Sequence, residues 1–169
     1  LRAASQAPVT QLVHVDAGYT GTSDGSVTKP YKELTTALTA KLVDGATSTY
    51  VFKLAPGVYT GTCSITHTAQ TQSFEIRGSG MDSTIIRASA SFDDSDGELL
   101  FFRNFKSIGL KDVTLQYGRY QFYPRVCQKV RVESVRFLNG ASEGRVPQHN
   151  QSGSKEQQDA YWDSQWFSN

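Results

Sequence analysis

Apolar and polar positions change rhythm twice along the chain. From residue 12 to 16, Leu12, His14 and Asp16 alternate with Val13 and Val15, which predicts a short strand. The AGYTGTSDGS stretch at 17–26 is loop chemistry. Pro30 then stands where a first helical residue tolerates proline, and Tyr31, Leu34, Ala37, Leu38 and Leu42 recur at spacings of three and four. That spacing predicts a helix over 30–43, closed by Val43-Asp44-Gly45. From Thr49 to Gly140 the rhythm becomes one of short apolar strands broken by turns. The runs are 50–54, 58–66, 73–78, 84–88, 98–104, 107–118 and 129–140, with Ala55-Pro56-Gly57 as a turn.

The last two runs superimpose at a constant offset of 22 residues: Ile108 on Val130, Leu110 on Val132, Asp112 on Ser134, Val113 on Val135, Leu115 on Phe137 and Gly118 on Gly140. The same offset pairs Phe101 with Tyr123 and Phe105 with Cys127, which are expected to be buried layers. A period in the twenties with several short strands per unit suits a solenoid whose turns stack at about 4.8 Å. The fixed Leu/Asn ladder of a leucine-rich repeat is missing, and the single Asn-Gly, at 139–140, follows the repeats instead of joining hairpins as in a sandwich. The expected fold class is all-β, a right-handed parallel β-helix of about three to four coils with an N-terminal capping α-helix over the first coil. Residues 1–11 read as a flexible lead-in, 12–140 as the capped β-helix domain, and 141–169 as a polar tail with a short C-terminal helix.

Composition and charge narrow the function classes. Thr and Ser occupy 34 positions and Tyr and Phe another 17, a mixture fitted to strands and their turns. Lys plus Arg number 17 against 16 Asp plus Glu, too even a balance for the phosphate attraction of a nucleic-acid binder. No apolar run approaches the roughly 18–20 residues that span a bilayer, so no membrane insertion is expected. Cys63 and Cys127 form neither a disulfide framework nor a zinc motif; about three coils apart, they are expected to be free buried thiols. The missing initial Met and the aromatic end at Trp166-Phe167 lead us to expect the ordered N-terminal part of a longer protein.

The order of elements carries a resemblance. VHVDAGYTGTSDGSVTKPYKELTTALTAKL, then YVFKLAPGVYTGTCSI, then SFEIRGSGMDSTIIRA resembles the N-terminal part of pectin-lyase-like β-helix proteins, most of all the pectin methylesterase type and phage tailspikes. The matching features are Ala55-Pro56-Gly57-Val58-Tyr59 and Ile76-Arg77-Gly78-Ser79-Gly80 through Thr84-Ile85-Ile86, and they cover about 12–140. The resemblance implies architecture. The family's catalytic Asp pair, flanking Gln residues and Arg cannot be placed on any residue of this chain, so no catalytic residue is assigned.

Four groups stand out as candidate chemistry. Asp93, Asp94, Asp96 and Glu98 are close enough to bind calcium through oxygen ligands or to serve as a glycosidase pair, and they also read as a solvated turn loop without full calcium-loop spacing. No cofactor besides that calcium is implied. Tyr117, Arg119, Tyr120, Phe122, Tyr123 and Arg125 combine rings that stack on sugars with guanidinium groups that hold acidic substituents, while Phe122 and Tyr123 also read as packing at the start of the next coil. His14, His67 and His149 are scattered, and the first two are expected on strand surfaces. Trp162 and Trp166, four apart after the capping-box pattern Ser154-Lys155-Glu156-Gln157, either cover the last coil or dock on a partner. Asn150-Gln151-Ser152 is a glycosylation sequon.

These readings converge on a structural or glycan-recognition module of an extracellular or virion-surface assembly, tailspike- or fibre-like. Its expected partners are a polysaccharide or glycan and further copies in a homo-oligomer or larger assembly. The alternative is a carbohydrate-active enzyme, a pectin esterase or polysaccharide depolymerase, of which this chain is the N-terminal part.

Overall fold

The computed structural model describes residues 9–88, 97–118 and 120–138. Strands hold 51% of them and helix 7%, which makes the fold mostly β. In chain order the elements are β1 (Thr10–Val15), α1 (Leu34–Lys41), β2 (Thr49–Leu54), β3 (Gly57–Thr60), β4 (Cys63–Thr66), β5 (Ser73–Arg77), β6 (Thr84–Arg87), β7 (Glu98–Arg103), β8 (Ser107–Gln116), β9 (Tyr120–Arg125) and β10 (Lys129–Leu138). Every pairing between these strands is parallel. One sheet of seven runs β1-β2-β5-β8-β6-β3 with β10 also on β8, curled into a half-barrel; β4, β7 and β9 form a second sheet.

The curl has a local cause in β8. Its first half pairs with β5 and its second half with β6, and between them Asp112 takes a φ of 54°. A left-handed residue turns the strand so that its two halves face different neighbours. Ser134 bends β10 at the matching position, with a φ of 51°, and both halves of β10 follow the bend of β8 as its partner. The 22-residue offset is therefore a structural register: Ile108, Leu110, Val113 and Leu115 lie opposite Val130, Val132, Val135 and Phe137.

The core lies between the two sheets. Val13, Phe52, Ile76 and Leu110 follow one another across β1, β2, β5 and β8, all at most 2% exposed. Phe74 of β5 meets Phe102 of β7 edge-on at 4.8 Å, joining the sheets, and Phe105 lies 5.1 Å from Phe74. Each such side chain contributes about 1.5–3 kcal/mol on full burial.

Two strand runs and the helix differ from the sequence reading. Thr10 and Gln11, which the sequence reading places before the first strand, belong to β1. The run 58–66 splits into β3 and β4, which enter different sheets, because Gly61 at a φ of 138° breaks it. The helix begins at Leu34, not Pro30, because the backbone of Tyr31 is already engaged with β1: its N–H donates to the His14 carbonyl, and its own carbonyl accepts from the Asp16 N–H. Together with Gly25, which accepts from the His14 N–H, this segment occupies the outer edge of β1. α1 buries Leu34, Ala37 and Leu38. The segment after β4 grips the far end of the helix: Gln72 Nε2 donates to the Lys41 carbonyl, His67 Nε2 lies 3.3 Å from the Leu42 carbonyl, and Thr71 Oγ1 donates to Ala46. His67 is therefore buried, at 2% exposure and 4.2 Å from the Phe105 ring, not on a strand surface.

Candidate functional site

The residues with binding chemistry collect on the outer face of the β4-β7-β9 sheet. In β7, Leu100 and Phe102 point into the core, so Phe101 and Arg103 face outward. In β9, buried Phe122 and Pro124 likewise leave Tyr123 and Arg125 outside. Parallel register aligns these positions into two columns, Ser64–Phe101–Tyr123 and Thr66–Arg103–Arg125. Phe101 and Tyr123 touch edge-on at 5.3 Å, and the Tyr120 ring lies 5.3 Å from Tyr123 at a 32° tilt. An aromatic column thus stands beside a basic one.

On the other sheet several cations are paired, whereas Lys53, Arg87 and Lys129 there also make no ion pair with the described residues. On β5, β8 and β10, Arg77 pairs with Glu75 at 2.6 Å, Lys111 with Glu133, and Arg131 with Glu133 at 2.7 Å. The hydrogen bond from Lys111 holds the Glu133 carboxyl below its ordinary range. Arg103 and Arg125 make no ion pair with the described residues, though they lie in register on neighbouring strands. Like charges carried on register partners of neighbouring strands repel, and an anion lying between or above them relieves that repulsion. Glu98, at the other end of β7, is opposite Tyr120, five residues from Arg103.

Of the residues singled out from the sequence, Tyr120, Tyr123 and Arg125 come together here. Tyr117 lies at the end of β8, its backbone in the left-handed region at a φ of 63°. Phe122 is core, at 6% exposure. Arg119, Asp93, Asp94, Asp96, His149, Asn150, Trp162 and Trp166 lie outside the described residues. Among the described residues no three His, Cys, Asp or Glu side chains cluster as metal ligands, and no helix is long and apolar enough to cross a membrane. Phe101 and Tyr123 are in register as the offset implies, but half-exposed rather than buried, because both fall on the outer phase of their strands. Phe105 is fully buried and Cys127 only partly. Arg103 went unnoticed in the sequence although the same offset, continued two residues beyond Phe101, pairs it with Arg125.

Both cysteines are free; burial pushes the Cys63 thiol up to about 11 and raises Cys127 as well, so neither is an activated nucleophile. A cavity of about 170 Å³ lies between the start of α1 and β3, lined by Lys32, Glu33, Thr35, Val58 and Thr60 among others. It is smaller than the roughly 300 Å³ at which drug-sized ligands are enclosed. The open aromatic and basic face is the better binding surface. Comparison with family models, curated proteins and solved structures finds no match to this chain.

Proposed function

We propose that this chain is a glycan-recognition module built on a short right-handed parallel β-helix, part of an extracellular or virion-surface assembly, and that it holds an acidic polysaccharide on the β4-β7-β9 face. The fold reading draws support from parallel pairing throughout and from bends at Asp112 and Ser134 one 22-residue period apart. On that reading β2-β3-β4, β5-β6-β7 and β8-β9 are successive coils and α1 is the cap. The observation that carries the function is the pairing of the Phe101–Tyr123 column with the Arg103–Arg125 column, which makes no ion pair with the described residues. Apolar faces of sugar rings stack on aromatic side chains, and guanidinium groups take carboxylates or sulfates in two-pronged hydrogen bonds.

Calorimetric titration with a uronic-acid oligosaccharide, a sulfated one and a neutral one tests this. Binding of a charged oligosaccharide and not the neutral one, lost in Tyr123→Ala with unchanged melting, is the expected result. Equal absence of binding for all three, or binding untouched by that variant, removes the proposal. Release of shorter sugars during the titration would replace recognition by depolymerisation.

A further inference from the structure

The two ends of the strand stack are finished differently. At the first strand, residues 25–31 bond to the outer edge of β1, and α1 packs beside it. At β10 no described strand follows on the far side. The consequence shows in burial. Ile108, Leu110, Val113 and Leu115 of β8 are at most 1% exposed, whereas their register partners Val130, Val132 and Val135 are half-buried and Phe137 is 44% exposed, with Leu138 at 38%. Among the described residues nothing covers the last layer of the core.

Another repeat from the same chain does not fit there. One more step of 22 residues puts Ser152, Ser154, Gln157 and Asp159 where Val130, Val132, Val135 and Phe137 stand in β10. Four polar residues cannot close an apolar layer. The only dense apolar stretch beyond β10 is Tyr161, Trp162, Trp166 and Phe167, four aromatics within seven residues. Charge matches as well. β10 carries Lys129, Arg131 and Arg136 against Glu133, net +2, and residues 154–169 carry Glu156, Asp159 and Asp163 against Lys155, net −2. The 22 residues between Leu138 and Tyr161 reach about 70 Å when extended, so no point of β10 is out of range.

We propose that the aromatic segment 161–167 of the same chain docks on the open face of β10 and closes the core. A tethered segment acts at an effective concentration near millimolar, ahead of any free partner. Trp162 and Trp166 are the two tryptophans of the chain, so indole fluorescence reads this contact without a label. The chain of residues 1–169 is expected to show blue-shifted emission and acrylamide quenching several-fold weaker than free indole. Phe137→Asp is expected to red-shift the emission and restore quenching while the far-UV dichroism stays the same. Lys129→Glu, an exposed change that leaves the apolar layer intact, is expected to move both readouts the same way more weakly, and only at low salt. It keeps the test decisive if Phe137→Asp unfolds. Free-indole emission in the wild type, or emission indifferent to Lys129→Glu at low salt, overturns the proposal. So does a dimer in sedimentation whose dilution alone unmasks the tryptophans, which would assign the face to a second copy.

Discussion

Asn104 and Val126 directly follow the paired strands β7 and β9, 22 residues apart, and both adopt left-handed backbone, with φ of 62° and 53°. Asn104 suits this position: its side chain tolerates the conformation and its Nδ2 donates to the His67 carbonyl at 2.5 Å. Val126 does not, because a β-branched side chain crowds its own carbonyl when φ is positive. The segment after β9 therefore stores strain at Val126 that the segment after β7 avoids. Replacing Val126 with Asn should stabilise the protein by about 1 kcal/mol, an increase of a few degrees in Tm. A melt that is unchanged or lower would show that packing by the valine outweighs its backbone.

Alkaline pH should destabilise the fold through two buried groups. The Tyr59 hydroxyl reaches the Ala55 carbonyl at 2.8 Å and the Val15 carbonyl at 3.1 Å, tying β3 to the end of β1, and burial pushes it up to about 12. Cys63 rises to about 11 for the same reason. In both cases the folded state keeps a proton that the unfolded chain releases at lower pH. The stability they contribute is thus whole below about pH 9 and declines as pH climbs through 9 to 12. Denaturation midpoints at pH 8, 10 and 11 should fall in that order, and Tyr59→Phe with Cys63→Ala should flatten the decline. A wild-type profile already flat to pH 11 would refute this account.

Gly78 and Gly109 test how closely adjacent layers approach. A Cβ on Gly78 would come within 2.2 Å of the Asp112 carbonyl oxygen, at the bend of β8, and 2.7 Å of Val113 Cγ1. Backbone cannot withdraw there without opening the bend, so Gly78→Ala should cost about 3 kcal/mol or more. A Cβ on Gly109 would meet Glu75 Cγ at 2.8 Å and Glu75 Cβ at 3.1 Å, so relief there asks for a rotation of Glu75 that disturbs its ion pair with Arg77 and for a small shift of β5, but leaves the bend of β8 closed. Gly109→Ala should cost less than Gly78→Ala, about 1–2 kcal/mol. Similar losses for the two variants in urea denaturation would mean that the β5–β8 spacing is adjustable in solution.

How far the sequence discloses this arrangement depends on which physical signal each element carries. The repeat in β8 and β10 is legible because apolar residues recur at a fixed offset, and parallel register turns that offset directly into neighbours. β9 is hidden: Tyr-Gln-Phe-Tyr-Pro-Arg has no clean alternation, and Pro124 argues against a strand. Among the described residues β9 lies at the edge of its sheet, where a proline is tolerated. The helix start is misread for another reason. Tyr31 satisfies the helical spacing, yet its backbone is taken by β1, and hydrogen bonding to an edge strand leaves no trace in side-chain periodicity. The candidate face was half visible. Aromatic residues and Arg at 117–125 attract notice as a cluster, but Phe101 and Arg103 join them only through register, and which described carboxylates lie within reach of an arginine is a three-dimensional fact.

The missing carboxylate partner among the described residues gives the proposed glycan face its clearest test. Arg103→Ala and Arg125→Ala should each weaken binding of an acidic oligosaccharide about tenfold, the cost of one charge-assisted hydrogen bond. Because the attraction is ionic and near the surface, wild-type affinity should fall as salt rises from 0.05 to about 0.5 M, as the Debye length shortens from roughly 14 to 4 Å. Each arginine variant should show a shallower dependence. Arg77→Ala is the control, since Arg77 is equally basic and outward but already satisfied by Glu75. Its affinity and salt dependence should match the wild type. If Arg77→Ala weakens binding as much as Arg125→Ala, the sugar is held by diffuse positive charge over the whole surface and not by the ordered column on β7 and β9.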